Sequence, residues 1–119
     1  MARSTTEAGG DAETTAATTL VGLGYRILTR NYRIKAGEID LVAEDGKVLC
    51  FVEVRSRADA DHGTPEETIT RAKRRRIALA AQHYLTKHRR EDAACRFDVV
   101  AIEGTSVRVL KDAFRLDDC

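Results

Sequence analysis

Three carboxylates and an arginine sit on two short apolar segments, in a spacing that suits chemistry on a phosphate. The first segment is Gly37-Glu38-Ile39-Asp40-Leu41 and the second is Phe51-Val52-Glu53-Val54-Arg55. Between them lies Glu44-Asp45-Gly46-Lys47. Asp-Gly between two β-rich runs is a strong hairpin signal. With Asp45-Gly46 as a two-residue loop, Glu44 pairs with Lys47, Asp40 falls opposite Phe51, and Glu38 opposite Glu53. Paired residues share a face and faces alternate along a strand. Glu38, Asp40, Glu53 and Arg55 are therefore expected on one face. A slip of one residue would move Asp40 to the other face.

Such a face is awkward for a purely structural sheet, because like charges directly opposite each other destabilise it. The run Val48-Leu49-Cys50-Phe51-Val52 is apolar on both faces, which predicts a central, buried strand. A buried carboxylate pair must share a proton or find a cation. Oxygen ligands of this kind suit Mg²⁺ or Mn²⁺. The competing reading places Glu38 and Glu53 at strand ends in solvent, each with an arginine partner.

The elements that must position these groups follow from local signals. Residues 1–10 read as a flexible tail, and residues 11–119 as a single domain. Asp11 is a candidate cap for a first helix ending near Leu23 and Gly24, with Ala16, Ala17, Leu20 and Leu23 as its apolar stripe and Glu13 on the same stripe. Strands are predicted over 25–34, 39–43 and 48–54, with a polar loop over 56–64. Thr64-Pro65-Glu66-Glu67 carries a cap, a first-turn proline and a capping box, predicting a helix to about His88. Two further strands are predicted over 96–102 and 107–111, joined through Glu103-Gly104-Thr105. The order α-β-β-β-α-β-β implies an α/β domain, a mixed sheet flanked by helices.

The long helix carries a second anomaly. Ile69, Ala72, Ile77, Ala80, Ala81 and Tyr84 recur at helical spacing, and Lys73 lies in the middle of that face. An inward lysine either snorkels to an edge or meets a carboxylate. Arg71, Arg74 and Arg75 lie off the stripe. Residues 65–90 hold eight basic side chains against two acidic ones, although the whole chain is nearly neutral at +1. A basic helix beside a carboxylate site points to a polyanion, and a merely solvated helix face is the competing explanation. No aromatic residue is interleaved with these charges, so stacking on single-stranded bases is not indicated.

Other function classes fall away. The chain of 119 residues is 43% hydrophobic and 33% charged, which suits one soluble globular domain and not a disordered chain. No apolar run approaches the roughly 18–20 residues of a membrane span. Met1–Thr19 lacks the apolar block of a secretory signal. Cys50, Cys95 and Cys119 form no CxxC pair, which argues against zinc or a disulfide scaffold and for reduced thiols in the cytoplasm. His62, His83 and His88 make no HExxH pattern, and no GxSxG elbow exists.

The combination of Gly24-Tyr25-Arg26-Ile27-Leu28, Asn31-Tyr32-Arg33, Gly37-Glu38-Ile39-Asp40-Leu41 and Phe51-Val52-Glu53-Val54-Arg55-Ser56-Arg57 resembles the bacterial YraN family. Lys73-Arg74-Arg75-Arg76 and Arg96-Phe97-Asp98-Val99-Val100 fit it too, so the resemblance covers roughly Asp11 to Phe114. That family is similar to the restriction-endonuclease-like nucleases, including archaeal Holliday-junction resolvases. The resemblance implies a restriction-endonuclease-like fold and an Asp followed by Glu-x-Lys. Asp40 and Glu53 match the two acids, and Glu13 looks like the additional carboxylate that some of these nucleases place on their first helix. Arg55 stands where the lysine is usual. Arginine supplies charge and a planar fork for phosphate, but it cannot act as a base.

The function so implied is a Mg²⁺- or Mn²⁺-dependent endonuclease hydrolysing DNA phosphodiester bonds, with branched or non-duplex DNA as candidate substrates. Asp40, Glu53 and Glu13 would hold metal, Arg55 and Lys73 would serve the scissile phosphate, and Arg71, Arg74, Arg75 and Arg76 would bind nucleic acid. A homodimer is the oligomer that the resemblance implies. The main alternative is a non-catalytic nucleic-acid-binding protein that retains the nuclease fold, which Arg55 favours. A protein-interaction subunit with ion-paired carboxylates is the third reading.

Overall fold

The computed structural model describes residues 5–56 and 69–115, with side chains from Ala12 onward. Helix α1 spans Thr5–Gly22, strands β1 Arg26–Ile34, β2 Gly37–Asp45 and β3 Val48–Ser56, helix α2 Arg71–Lys87, and strands β4 Cys95–Glu103 and β5 Ser106–Phe114. The five strands form one sheet in sequence order. β3 and β4 run parallel, and the other neighbours are antiparallel. A parallel neighbour needs a long crossover, and the chain between β3 and β4, with α2 inside it, provides one. The expected α/β order and mixed sheet are thus present. Among the described residues, no helix is long and apolar enough to cross a membrane.

β3 is the middle strand, which is why it is apolar on both faces. Leu49 and Phe51 join the core beneath α2, with Ile77, Ala80, Ala81 and Tyr84. Cys50 and Val52 join the core beneath α1, with Ala16 and Leu20. Gly24 closes α1: its N–H bonds the Val21 carbonyl, and the Tyr25 N–H bonds the Leu20 carbonyl. This is a Schellman ending, in which Tyr25 and Leu20 also share the core. Leu23 is consequently 59% exposed and does not belong to the helix stripe. α1 already begins at Thr5, so Asp11 lies inside the helix and is not its cap.

Three further expectations need correction. The β2–β3 turn is Gly46-Lys47, with Asp45 opposite Val48, which shifts the anticipated register by two residues. Gly46 takes φ +61° at the first central position, as a type II′ turn demands, and Asp45 stays in the strand on Arg96 and Lys111. Helix α2 does not run unbroken from Thr64. Thr70 is extended (φ −63°, ψ 162°), and its side chain accepts from the Lys73 N–H, capping a helix that starts at Arg71. Ala72 is exposed, while Ile69 is buried ahead of the helix. The anticipated cap at Thr64-Pro65-Glu66-Glu67, most of the 56–64 loop, His62 and Cys119 lie outside the described residues.

Two contacts fix α2 on the sheet. Tyr84 packs edge-on to Tyr32 and Phe51, with ring centroids 5.1 and 6.0 Å away. Nearer its start, α2 meets Gly37 so closely that a Cβ there would lie 2.0 Å from the Arg76 carbonyl oxygen. That contact is backbone on backbone, so no side-chain rotation relieves it. Gly37→Ala should therefore cost about 1–3 kcal/mol or more, read as a lower urea midpoint at unchanged m-value.

Candidate active site

The β2–β3 ladder ends at Leu41 opposite Val52. The next inter-strand bond is made by a side chain: the Val54 N–H donates to Asp40 Oδ2 at 2.8 Å. Strand alternation breaks at the same point. Ile39 belongs to the core beneath α2 and Leu41 to the core beneath α1, although strict alternation would put both on one face. On the other side of β2, Asn31 occupies the position opposite Asp40 with φ 54°. Of Glu38, Asp40, Glu53 and Arg55, anticipated together on one face, Glu38 stays at the surface, in a groove beside Lys73. Glu38 is exposed and pairs across β1–β2 with Arg33 at 3.0 Å.

Asp40 and Glu53 do come together. Glu53 is 6% exposed and points toward α2, where Lys73 Nζ meets its Oε1 at 3.3 Å. Its other oxygen, Oε2, is buried with no hydrogen-bond partner. Burial is the main cause that pushes the Glu53 carboxyl up to about 8; the Asp40 charge adds to it, and Lys73 and Arg55 oppose it. Asp40 is also raised, first by burial, with the Val54 N–H and Lys73 opposing. Arg55 thus lies within the field of Glu53, and Lys73 within the field of both acids.

Glu13 approaches from α1. Its Oε1 accepts from Asn31 Nδ2 at 2.8 Å and lies 4.0 Å from an Arg30 nitrogen. Burial and the Asp40 charge raise its pKa, so it shares the electrostatic environment of the pair. Among the described residues, no three His, Cys, Asp or Glu side chains stand close enough to enclose a metal. The donors that are present still fit a hard cation. They are carboxylate oxygens, one is buried and orphaned, and Mg²⁺ commonly takes one or two carboxylates with water and phosphate oxygens. Asp40 and Glu53 are the residues that could hold it, with Glu13 outside them.

The four arginines of the basic run are not equivalent. Arg71, Arg75 and Arg76 are exposed on α2. Arg74 instead donates to the Ile69 carbonyl at 3.0 Å and stacks over the Phe114 ring. It anchors the helix start to β5. Arg76 lines a groove with Glu38 and Lys73 beside the acids.

A second buried acid, Asp98, was not singled out as a site residue from sequence. The signal was available, since Asp98 interrupts the apolar strand Phe97-Asp98-Val99-Val100-Ala101-Ile102. It is fully buried but fully engaged. Arg96 grips both of its oxygens at 2.8 and 2.9 Å, the Tyr25 hydroxyl donates at 3.0 Å, and the Asp112 N–H donates at 2.9 Å. Arg96 also reaches Asp45 at 2.9 Å, which holds that carboxyl below its usual range. The Cys50 thiol nearby is pushed up to about 12, chiefly by burial, which makes it a poor nucleophile.

The two buried acids should respond oppositely to substitution. Asp98→Ala leaves Arg96 with Asp45 alone among its acidic partners and takes the acceptor from the Tyr25 hydroxyl and the Asp112 N–H, and should cost about 3–5 kcal/mol in urea denaturation. Glu53→Gln should stabilise, because the folded state must otherwise hold a proton or bury a charge. Folded Glu53 keeps its proton up to about 8, while the unfolded group loses it near 4.5. Wild-type stability from this group is therefore present below 4.5 and lost as pH rises to about 8. The advantage of Glu53→Gln should grow between pH 5 and 9 in paired melts. An advantage that stays level would mean that Glu53 is ionised throughout.

Known proteins place the chain in context. Residues 12–102, which include Glu13, Asp40, Glu53, Arg55, Lys73 and Asp98, match the Uncharacterised protein family UPF0102. A UPF0102 protein of Dechloromonas aromatica is 51% identical over 114 residues, covering 96% of this chain and 93% of its own. One from Symbiobacterium thermophilum is 50% identical over 103 residues, covering 87% and 85%. One from Lachnoclostridium phytofermentans is 48% identical over 103 residues, covering 86% and 87%.

Proposed function

The chain belongs to the UPF0102 family, the YraN family of the sequence resemblance, and from that premise we propose that it is a metal-dependent endonuclease acting on DNA. The observation that carries this reading is Glu53, a buried carboxyl beside Asp40 with one oxygen left unpaired. A buried carboxyl beside a half-buried one must share a proton or find a cation. Asp40 and Glu53 would hold Mg²⁺ or Mn²⁺, and Glu13 would stand outside them on α1. A divalent ion in that place lowers the pKa of bound water and stabilises charge on a phosphate. Asp40 is kept in place by the Val54 N–H and Glu53 by Lys73. Arg55, in the field of Glu53, supplies a fixed positive fork for the scissile phosphate. Arg71, Arg75 and Arg76 hold flanking phosphates, which ties affinity to salt.

A second reading has its own support. Arg55 occupies the usual lysine position, and Lys73 already occupies one Glu53 oxygen. Both fit a nucleic-acid-binding protein that keeps the fold without cutting. A labelled panel of single strand, duplex, flap and four-way junction separates the two. Metal-dependent cleavage that drops at least 100-fold in both Asp40→Asn and Glu53→Gln is the expected result. No cleavage, with retained salt-sensitive binding, would establish the second reading. Neutralising Arg71, Arg75 and Arg76 together should weaken DNA binding and flatten its salt dependence by about 3 in log–log slope.

A further inference from the structure

Lys73 stands at two places at once. Its ammonium touches Glu53 Oε1 at 3.3 Å, and its side chain also lines a groove of about 270 Å³ with Glu38, Thr70, Ala72, Arg76 and Ile77. The two partners of the ion pair differ in burial. The Lys73 side chain is 41% exposed and that of Glu53 only 7%. The lysine therefore approaches the carboxylate from the solvent side, and it can leave without being stripped of water. Its backbone would stay where it is, because its N–H is tied to Thr70 Oγ1 at 3.2 Å. Only the flexible four-carbon stem has to move.

An exposed monovalent ammonium on a buried carboxylate is a weak pair, and a divalent ion at the same oxygen carries twice the charge. Building on the metal site proposed above, we propose that Lys73 is an exchangeable counter-cation. It occupies Glu53 Oε1 while the divalent ion is absent, and it yields that oxygen to the ion and turns its ammonium to a phosphate in the groove when the ion enters. Arg76, on the same groove wall, is the second cation for that phosphate. Metal and nucleic acid then bind with positive coupling through one side chain, and the coupling is reciprocal. Lys73 is a positioning residue in this account: it acts on the metal by competing with it.

The test measures Mn²⁺ affinity by titration calorimetry on the folded full chain. Lys73→Met keeps the stem and removes the charge, and it should bind Mn²⁺ roughly tenfold more tightly than wild type. Lys73→Gln is the second neutral variant and should behave alike if Lys73→Met does not fold. Lys87→Gln removes a charge from the last turn of the same helix, about 20 Å along the axis from Lys73, and should change Mn²⁺ affinity less than about threefold. An unchanged or weaker Mn²⁺ affinity in the neutral Lys73 variants, or an equal gain in Lys87→Gln, overturns the exchange. Wild type that ignores Mn²⁺ beside a Lys73→Met that binds it also overturns the exchange, because the lysine then blocks the site and does not yield it. Absence of Mn²⁺ binding in both, with both folded, overturns the metal site and the exchange together. Loss of wild-type Mn²⁺ binding in Glu53→Gln ties the signal to the carboxylates. The hand-over is read with a labelled phosphorothioate duplex: Mn²⁺ should strengthen wild-type binding by a larger factor than it does for Lys73→Met. Equal factors overturn it.

Discussion

The site depends on a single bond in which a side chain replaces a rung of the sheet. Where β2 and β3 stop pairing, the Val54 N–H has no carbonyl to meet, and Asp40 Oδ2 takes it at 2.8 Å. A buried amide left without a partner costs about 1–3 kcal/mol, so the sheet itself holds the carboxylate in place. Asp40 is thereby set beside Glu53, on the next strand, at a depth where neither acid ionises freely. Glu38 stays out in solvent on Arg33, which leaves two inward acids and not three.

Asp98 uses the same device with the opposite outcome. It too bonds a backbone N–H across a ladder irregularity, at Asp112 in β5. The difference lies in the company each acid keeps. Asp98 has a guanidinium on both oxygens and a tyrosine hydroxyl besides, so its charge is met within the protein. Glu53 has one lysine, reaching in from solvent, and one oxygen with nothing. A buried acid that is fully satisfied belongs to the framework. One left short of a partner has capacity for a ligand.

Helix α2 joins the framework to the site. The close approach at Gly37 sets the start of the helix, and the Tyr84 ring set between Tyr32 and Phe51 sets its later turns. Arg74 is used up in the same task, holding the helix start to Ile69 and Phe114. With the helix so placed, Lys73 faces Glu53, while Arg71, Arg75 and Arg76 remain in solvent. A basic run in sequence thus divides into one anchor, one site residue and three exposed charges.

The sequence by itself determined the order of the elements, the central place of the apolar strand and the inward aim of Lys73, because each rests on a local period or a turn signal. It also put Asp40 and Glu53 on one side despite a turn misplaced by one residue, since that shifts the pairing by two and an even shift preserves facing. Periodicity could not report the break in alternation at Asp40, which falls where the β2–β3 ladder ends. Nor could it separate Arg74 from its neighbours, foresee the cap at Thr70, or distinguish the satisfied Asp98 from the unsatisfied Glu53. Those were decided by the tertiary structure alone, because whether a buried charge is met depends on partners far apart in the chain, as Tyr25 and Asp45 are from Asp98 and Arg96.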